Sequence, residues 1–286
     1  MGNSLIFISA KAGVSAESMS GTAVERVFRH DGVVVAASLC LLTLLAWLFL
    51  LAGAGTGMDP VAMSGWLMPF RLPAQSSEWT ALYWIDAFCM WVVMMVAMML
   101  PSASPTLLLY ARVVRHAERQ GVPSRAAASI AAFASAYLSL WILFSLLAVA
   151  AQWALERLGA MSAMMSLRAT ALSGAVLIAA GLYQLAPFKT ACLRHCRGPA
   201  QFIAAHWRSG LGGAWRMGFS HGVYCLGCCA ALMLLLFVGG VMNLVWIAGL
   251  TLLVAIEKLA PFGAAAAKAI AALLIAGGVT LMAAAL

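Results

Sequence analysis

The stretch from Val33 to Ala52 runs for twenty residues without a charge, and this restricts the fold more than any other feature. About 20 apolar residues on one helix cross a bilayer. Backbone polar groups inside hydrocarbon must be satisfied internally, which leaves helices and closed barrels. The apolar runs are continuous rather than alternating, so helices are expected and strands are not. Further runs place transmembrane helices at 33–52, 82–100, 126–151, 170–187, 214–238, 242–256 and 264–286. The expected fold is all-α, a polytopic membrane helix bundle of about seven transmembrane helices with a cytoplasmic N-terminus. Residues 1–31 form a polar N-terminal segment ending in a short amphipathic lead-in, and 32–286 form a single transmembrane domain. The composition fits: 9% of the residues are charged, against about 25% in a soluble domain.

Charge fixes the orientation. Lys and Arg collect in cytoplasmic loops of membrane proteins. With the N-terminus inside, the inner segments hold Lys11, Arg26 and Arg29, then Arg112, Arg115, Arg119 and Arg125. They also hold Lys189, Arg194, Arg197, Arg208 and Arg216, and finally Lys258 and Lys268, while only Arg71, Arg157 and Arg168 fall outside. The net charge of +8 is thereby explained by topology and implies no nucleic acid. The partner it implies is the lipid bilayer. Seven irregularly spaced cysteines do not describe a secreted disulfide scaffold. The Leu5–Ile8 run is too short for the core of a cleavable signal.

The connections carry further expectations. Gly53 to Ala81 reads as an interfacial loop with a short dipping helix near Ala62–Met68. Pro101 and Pro105 are expected to end the second helix. Tyr110–Arg125 and Phe188–Pro199 read as basic loops.

Two stretches carry chemistry. The fifth helix contains His221-Gly222-Val223-Tyr224-Cys225-Leu226-Gly227-Cys228-Cys229. His221, Cys225 and Cys229 recur every fourth residue and share one helical face, with Cys228 beside them. Such groups inside a membrane point to a functional site by default. The second helix carries Asp86, Met90, Met94 and Met98 in one row. At ~1.5 Å per residue, Cys225–Cys229 lie roughly 16–22 Å from one face and Met90–Met94 roughly 12–18 Å from the other. Contact between these helices would join thiols, thioethers and an imidazole near the midplane. Thiolates and thioethers favour Cu(I), and methionine is not a usual zinc ligand. The expected metal ligands are therefore His221, Cys225, Cys228, Cys229, Met90, Met94 and Met98. Cys192 and Cys196, one turn apart, are expected as entry ligands or redox thiols. Asp86, Gln184, Lys189 and Glu257 are expected in support. The competing reading is packing, since methionine and cysteine also fill apolar cores.

The chain resembles a family of bacterial membrane proteins described as predicted metal-binding integral membrane proteins of unknown function. Three motifs carry the resemblance. The first is Met90-x3-Met94-x2-Ala97-Met98-Met99-Leu100-Pro101-Ser102. The second is Tyr183-Gln184-x2-Pro187-x-Lys189-x2-Cys192-Leu193-x2-Cys196-Arg197-x-Pro199. The third is His221-Gly222-x-Tyr224-Cys225-x-Gly227-Cys228-Cys229, followed by Met233. Ala230 replaces the family's usual aromatic residue. The resemblance implies the fold, a bacterial inner-membrane location and metal binding, but no reaction.

Three functions follow as expectations. The first is a carrier, store or donor of Cu(I), passing metal to an acceptor protein or a membrane complex. The second is a thiol–disulfide oxidoreductase coupled to quinone, drawing on the Cys225-x2-Cys228 pair. The third is a structural or assembly subunit. An ATP-driven pump is not expected, because the chain has no Walker motif and no soluble domain of adequate size.

Overall fold

The computed structural model describes residues 14–53, 79–121, 125–162 and 165–285, with side chains from residue 32 onward. The dipping helix expected near Ala62–Met68 lies outside these residues. Among the described residues the chain is helical apart from turns and one isolated bridge, Met161–Leu167. In chain order the helices are α1 (Val14–Leu51), α2 (Ala81–Arg119), α3 (Ala126–Arg157), α4 (Thr170–Leu185) and α5 (Pro187–Arg197). They continue with α6 (Pro199–His206), α7 (Gly210–Leu234), α8 (Leu236–Gly239), α9 (Leu244–Leu259) and α10 (Gly263–Ala284). Five stretches, in α1, α2, α3, α7–α8 and α10, are long and apolar enough to cross a membrane. A sixth is obtained if α4 and α5, bent by 64°, count as one broken span. At sixteen residues, α9 is shorter than a usual span of about 20.

Several expected boundaries are corrected. Helix α1 runs unbroken from Val14, and its membrane-length apolar stretch is Gly32–Leu51. Pro101 and Pro105 do not end α2, which continues through both to Arg119. Proline removes one backbone donor, and Pro105 leaves the Pro101 carbonyl without its helical partner. The Ser104 hydroxyl takes that place, donating to the Pro101 carbonyl at 2.7 Å. Most of the expected Tyr110–Arg125 loop is therefore the last part of α2. The expected Phe188–Pro199 loop is also largely helical. Pro187 opens α5 at a position where its missing N–H costs nothing, and Pro199 opens α6 in the same way.

Packing places α2 in the interior. It lies against α1 and α3, while α7 packs on α3 and α5, and α4 pairs with α10. Small residues allow the close approaches. A Cβ on Gly174 would come within 2.8 Å of the Gly278 carbonyl, and a Cβ on Gly218 would overlap the Phe133 carbonyl oxygen. The turn into α9 uses Gly240 at φ 96°, a conformation glycine adopts without steric cost. Asn243 then caps α9, its side-chain oxygen accepting from the Trp246 N–H at 3.1 Å. Helix α3 extends past Ala151, and its last turns are tied to α2. The Trp91 indole donates to Gln152, Gln152 donates to Glu156, and the Trp79 indole donates to Glu156.

Gly218→Val forces α7 away from the α3 backbone. It is expected to destabilise the protein by ~2 kcal/mol or more, read from thermal unfolding of the purified protein in detergent.

Candidate metal centre

The last turn of α9 organises the site. Glu257 is the only acidic residue after Glu156, and Lys258 follows it directly. Both side chains are buried, but they turn to different partners. The Lys189 ammonium donates to the Glu257 carboxylate at 2.6 Å, and the Gln184 amide donates to its other oxygen at 2.7 Å. Arg197, at the end of α5, donates to the backbone carbonyls of Glu257, Ala260 and Pro261. Cationic side chains commonly close helix C-termini this way. Lys189 and Lys258 are thus interior groups, not the loop charges that the charge-derived topology made of them.

Lys258 points into the cysteines. Its ammonium lies 3.0 Å from Cys225 Sγ and 3.1 Å from the Ser102 hydroxyl. Cys228 Sγ lies 3.3 Å from Cys229 Sγ and 3.8 Å from Cys196 Sγ, and it donates to the Cys225 carbonyl at 3.2 Å. Three thiols come from α7 and the fourth from α5. Of the four, Cys196 alone is partly exposed. Gly227 makes room for α5, since a Cβ there would come within 2.7 Å of Cys192 Sγ. Cys192 is buried under that contact, and the Tyr183 hydroxyl donates to the Gly227 carbonyl.

The expected residues divide into groups. Cys225, Cys228 and Cys229 come together, and Cys196 joins them rather than standing at a separate mouth. Gln184, Lys189 and Glu257 form one network on the other side of α9. His221 lies one turn below Cys225 in a pocket of Phe133, Tyr137 and Phe202, with ring centroids 5.2 to 6.1 Å away. Its Nδ1 is buried and has no hydrogen-bond partner among the described residues, so one ring nitrogen remains uncommitted. His195 stacks on Tyr224 at 4.0 Å, away from the thiols. Met90, Met94 and Met98 are fully buried in the same core, whereas Asp86 is exposed.

The expected height match is corrected. Cys225 lies beside Met99 and Ser102 rather than beside Met90 and Met94. The Tyr137 hydroxyl shows this, donating to the Met99 carbonyl at 3.2 Å and lying 3.2 Å from Cys225 Sγ. Lys258 shows it again by touching Ser102 and Cys225 together. Helix α2 continues past its prolines, so its later residues reach the thiols. Helices α2 and α7 are joined there through Tyr137 and Lys258.

Sequence reasoning missed Lys258, Tyr137 and Ser102 as members of the site. A signal existed for two of them. An ionisable group flanked by apolar turns and a tyrosine within an apolar helix both need polar partners. Among the described residues, no group of three or more His, Cys, Asp or Glu side chains is arranged to hold a metal ion as it stands. The thiols are instead hydrogen-bonded to one another. Their sulfurs are soft donors, the class of ligand that Cu(I) favours.

The fold and site define an all-helical protein with four thiols and an ammonium gathered in an apolar core. A family model described as PpoB2, copper chaperone, matches residues 88–281, from α2 to α10. The chain belongs to that family. No curated protein and no solved structure matches the chain.

Glu257→Gln leaves Lys189 buried without its anion and is expected to cost ~3–5 kcal/mol. In a double-mutant cycle, Lys189→Met/Glu257→Gln is expected to cost less than the two single changes summed, as read from unfolding in detergent.

Proposed function

We propose that this protein carries Cu(I) within a membrane and delivers it to an acceptor protein. The observation that carries the reading is the buried cluster of Cys196, Cys225, Cys228 and Cys229 in a copper-chaperone family member. Thiolates are the ligands that select Cu(I). Cys196 receives the ion first, because it is the partly exposed thiol and comes from a different helix. The buried Cys225, Cys228 and Cys229 supply the thiolates that hold it, two at a time, with His221 one turn away. The methionines of α2 supply weaker thioether contacts along the interior. Copper here is cargo, and no chemical conversion of it is needed.

The membrane reading rests on the outer surface. Leu44, Leu48, Leu147, Leu252 and Leu273 are each at least 59% exposed, and helices apolar on their outward faces suit a lipid surround. The location proposed is a bacterial inner membrane, with the acceptor reached from the α5–α6 side. A thiol–disulfide role is the second reading, favoured by the 3.8 Å separation of Cys196 and Cys228. It predicts a disulfide between those residues that cycles with activity.

Anaerobically purified wild type is expected to retain stoichiometric copper, and Cys225→Ser/Cys228→Ser to lose it, as measured by elemental analysis. Equal copper content in the two proteins would refute the carrier reading. A Cys196–Cys228 disulfide trapped in the wild type would favour the oxidoreductase.

A further inference from the structure

We infer that Lys258 sets the charge of the ion this site accepts, fitting it to a monovalent soft metal held by two thiolates. The inference rests on the carrier reading above. It starts from a lysine that is only 4% exposed. A buried charge requires a counter-charge nearby. The adjacent carboxylate does not supply it, because Glu257 is committed to Lys189 and Gln184. Among the described residues, no carboxylate lies within ion-pair distance of the Lys258 ammonium. The partners of Lys258 are one hydroxyl and one thiol sulfur. The compensating negative charge therefore comes from the thiol cluster.

The arithmetic of charge then discriminates between ions. Metal-bound cysteines are thiolates. Two thiolates on Cu(I) carry one net negative charge, which Lys258 cancels. Two thiolates on Zn(II) carry none and leave the ammonium unpaired. Four on Zn(II) carry two negative charges, one more than Lys258 offsets. Three reach balance, but among the described residues no three of the Cys and His side chains are grouped to hold one ion, and zinc needs a fourth ligand besides. Cys228 Sγ lies 3.3 Å from Cys229 Sγ and 3.8 Å from Cys196 Sγ. Pairs are what a two-coordinate Cu(I) uses. Ser102 and Cys225 fix the ammonium from two helices, so its charge stays directed at the sulfurs.

The test compares wild type with Lys258→Met, Lys258→Gln and Lys258→Arg, purified in detergent under reducing, anaerobic conditions. Each is titrated with Cu(I) against a chromophoric chelator, and separately with Zn(II). The neutral variants are expected to lose about tenfold or more in Cu(I) affinity, with Zn(II) affinity unchanged or raised. Lys258→Arg is expected to stay close to wild type on both ions. Lys258→Gln gives a polar neutral replacement if methionine is not accommodated, and the unfolding profile of each apo variant identifies any that fail to fold. A folded neutral variant with the wild-type ratio of Cu(I) to Zn(II) affinity would overturn the inference. Wild type that takes up no Cu(I) would instead overturn the carrier reading itself.

Discussion

A charge buried in an apolar core has to be neutralised where it lies. In this protein that constraint falls on the last turn of α9, where neighbouring residues of opposite charge face different partners. Glu257 draws in Lys189 and Gln184, and its backbone carbonyl draws in Arg197. These contacts bring α4 and α5 onto α9. Lys258 reaches the other way, to Ser102 on α2 and Cys225 on α7. Four helices thus meet around two adjacent side chains. Breaking either set leaves an uncompensated charge inside, which costs more than an ordinary lost contact.

The thiol cluster follows from the same arrangement. Helix α5 is tied to α9 by the pairing of Lys189 with Glu257, and the bend after Leu185 and the absence of a side chain at Gly227 let it lie against α7. That position carries Cys196 to Cys228. Tyr137 adds a hydroxyl between Met99 and Cys225, closing the cluster from the α3 side. The result is a set of sulfurs drawn from two helices, surrounded by polar groups that are themselves anchored. The chain belongs to a copper-chaperone family, and soft sulfur donors are the class of ligand that Cu(I) favours.

The helical architecture was legible in the sequence because the apolar runs are long and nearly free of charge. The row of His221, Cys225 and Cys229 was legible because helical spacing alone puts those residues on one face. The extent of α2 was not, because the serine that answers Pro105 acts through a hydrogen bond that no periodicity reveals. By charge alone Lys258 is one more positive residue beside a membrane, since counting charges cannot separate a loop lysine from a paired interior one. The contact of Cys196 with Cys228 is not legible, because the bend between α4 and α5 turns a loop-like basic stretch into a helix lying against α7. The height of Cys225 relative to α2 depended on both of these points.

The most direct test of the account is X-ray absorption at the copper edge of the anaerobically loaded protein. The account predicts a monovalent copper edge and a first shell dominated by thiolate sulfur. It also predicts that Cys225, Cys228 and Cys229 are protected from alkylation while copper is bound. A first shell of oxygen or nitrogen, with those cysteines freely alkylated in the loaded protein, would contradict it.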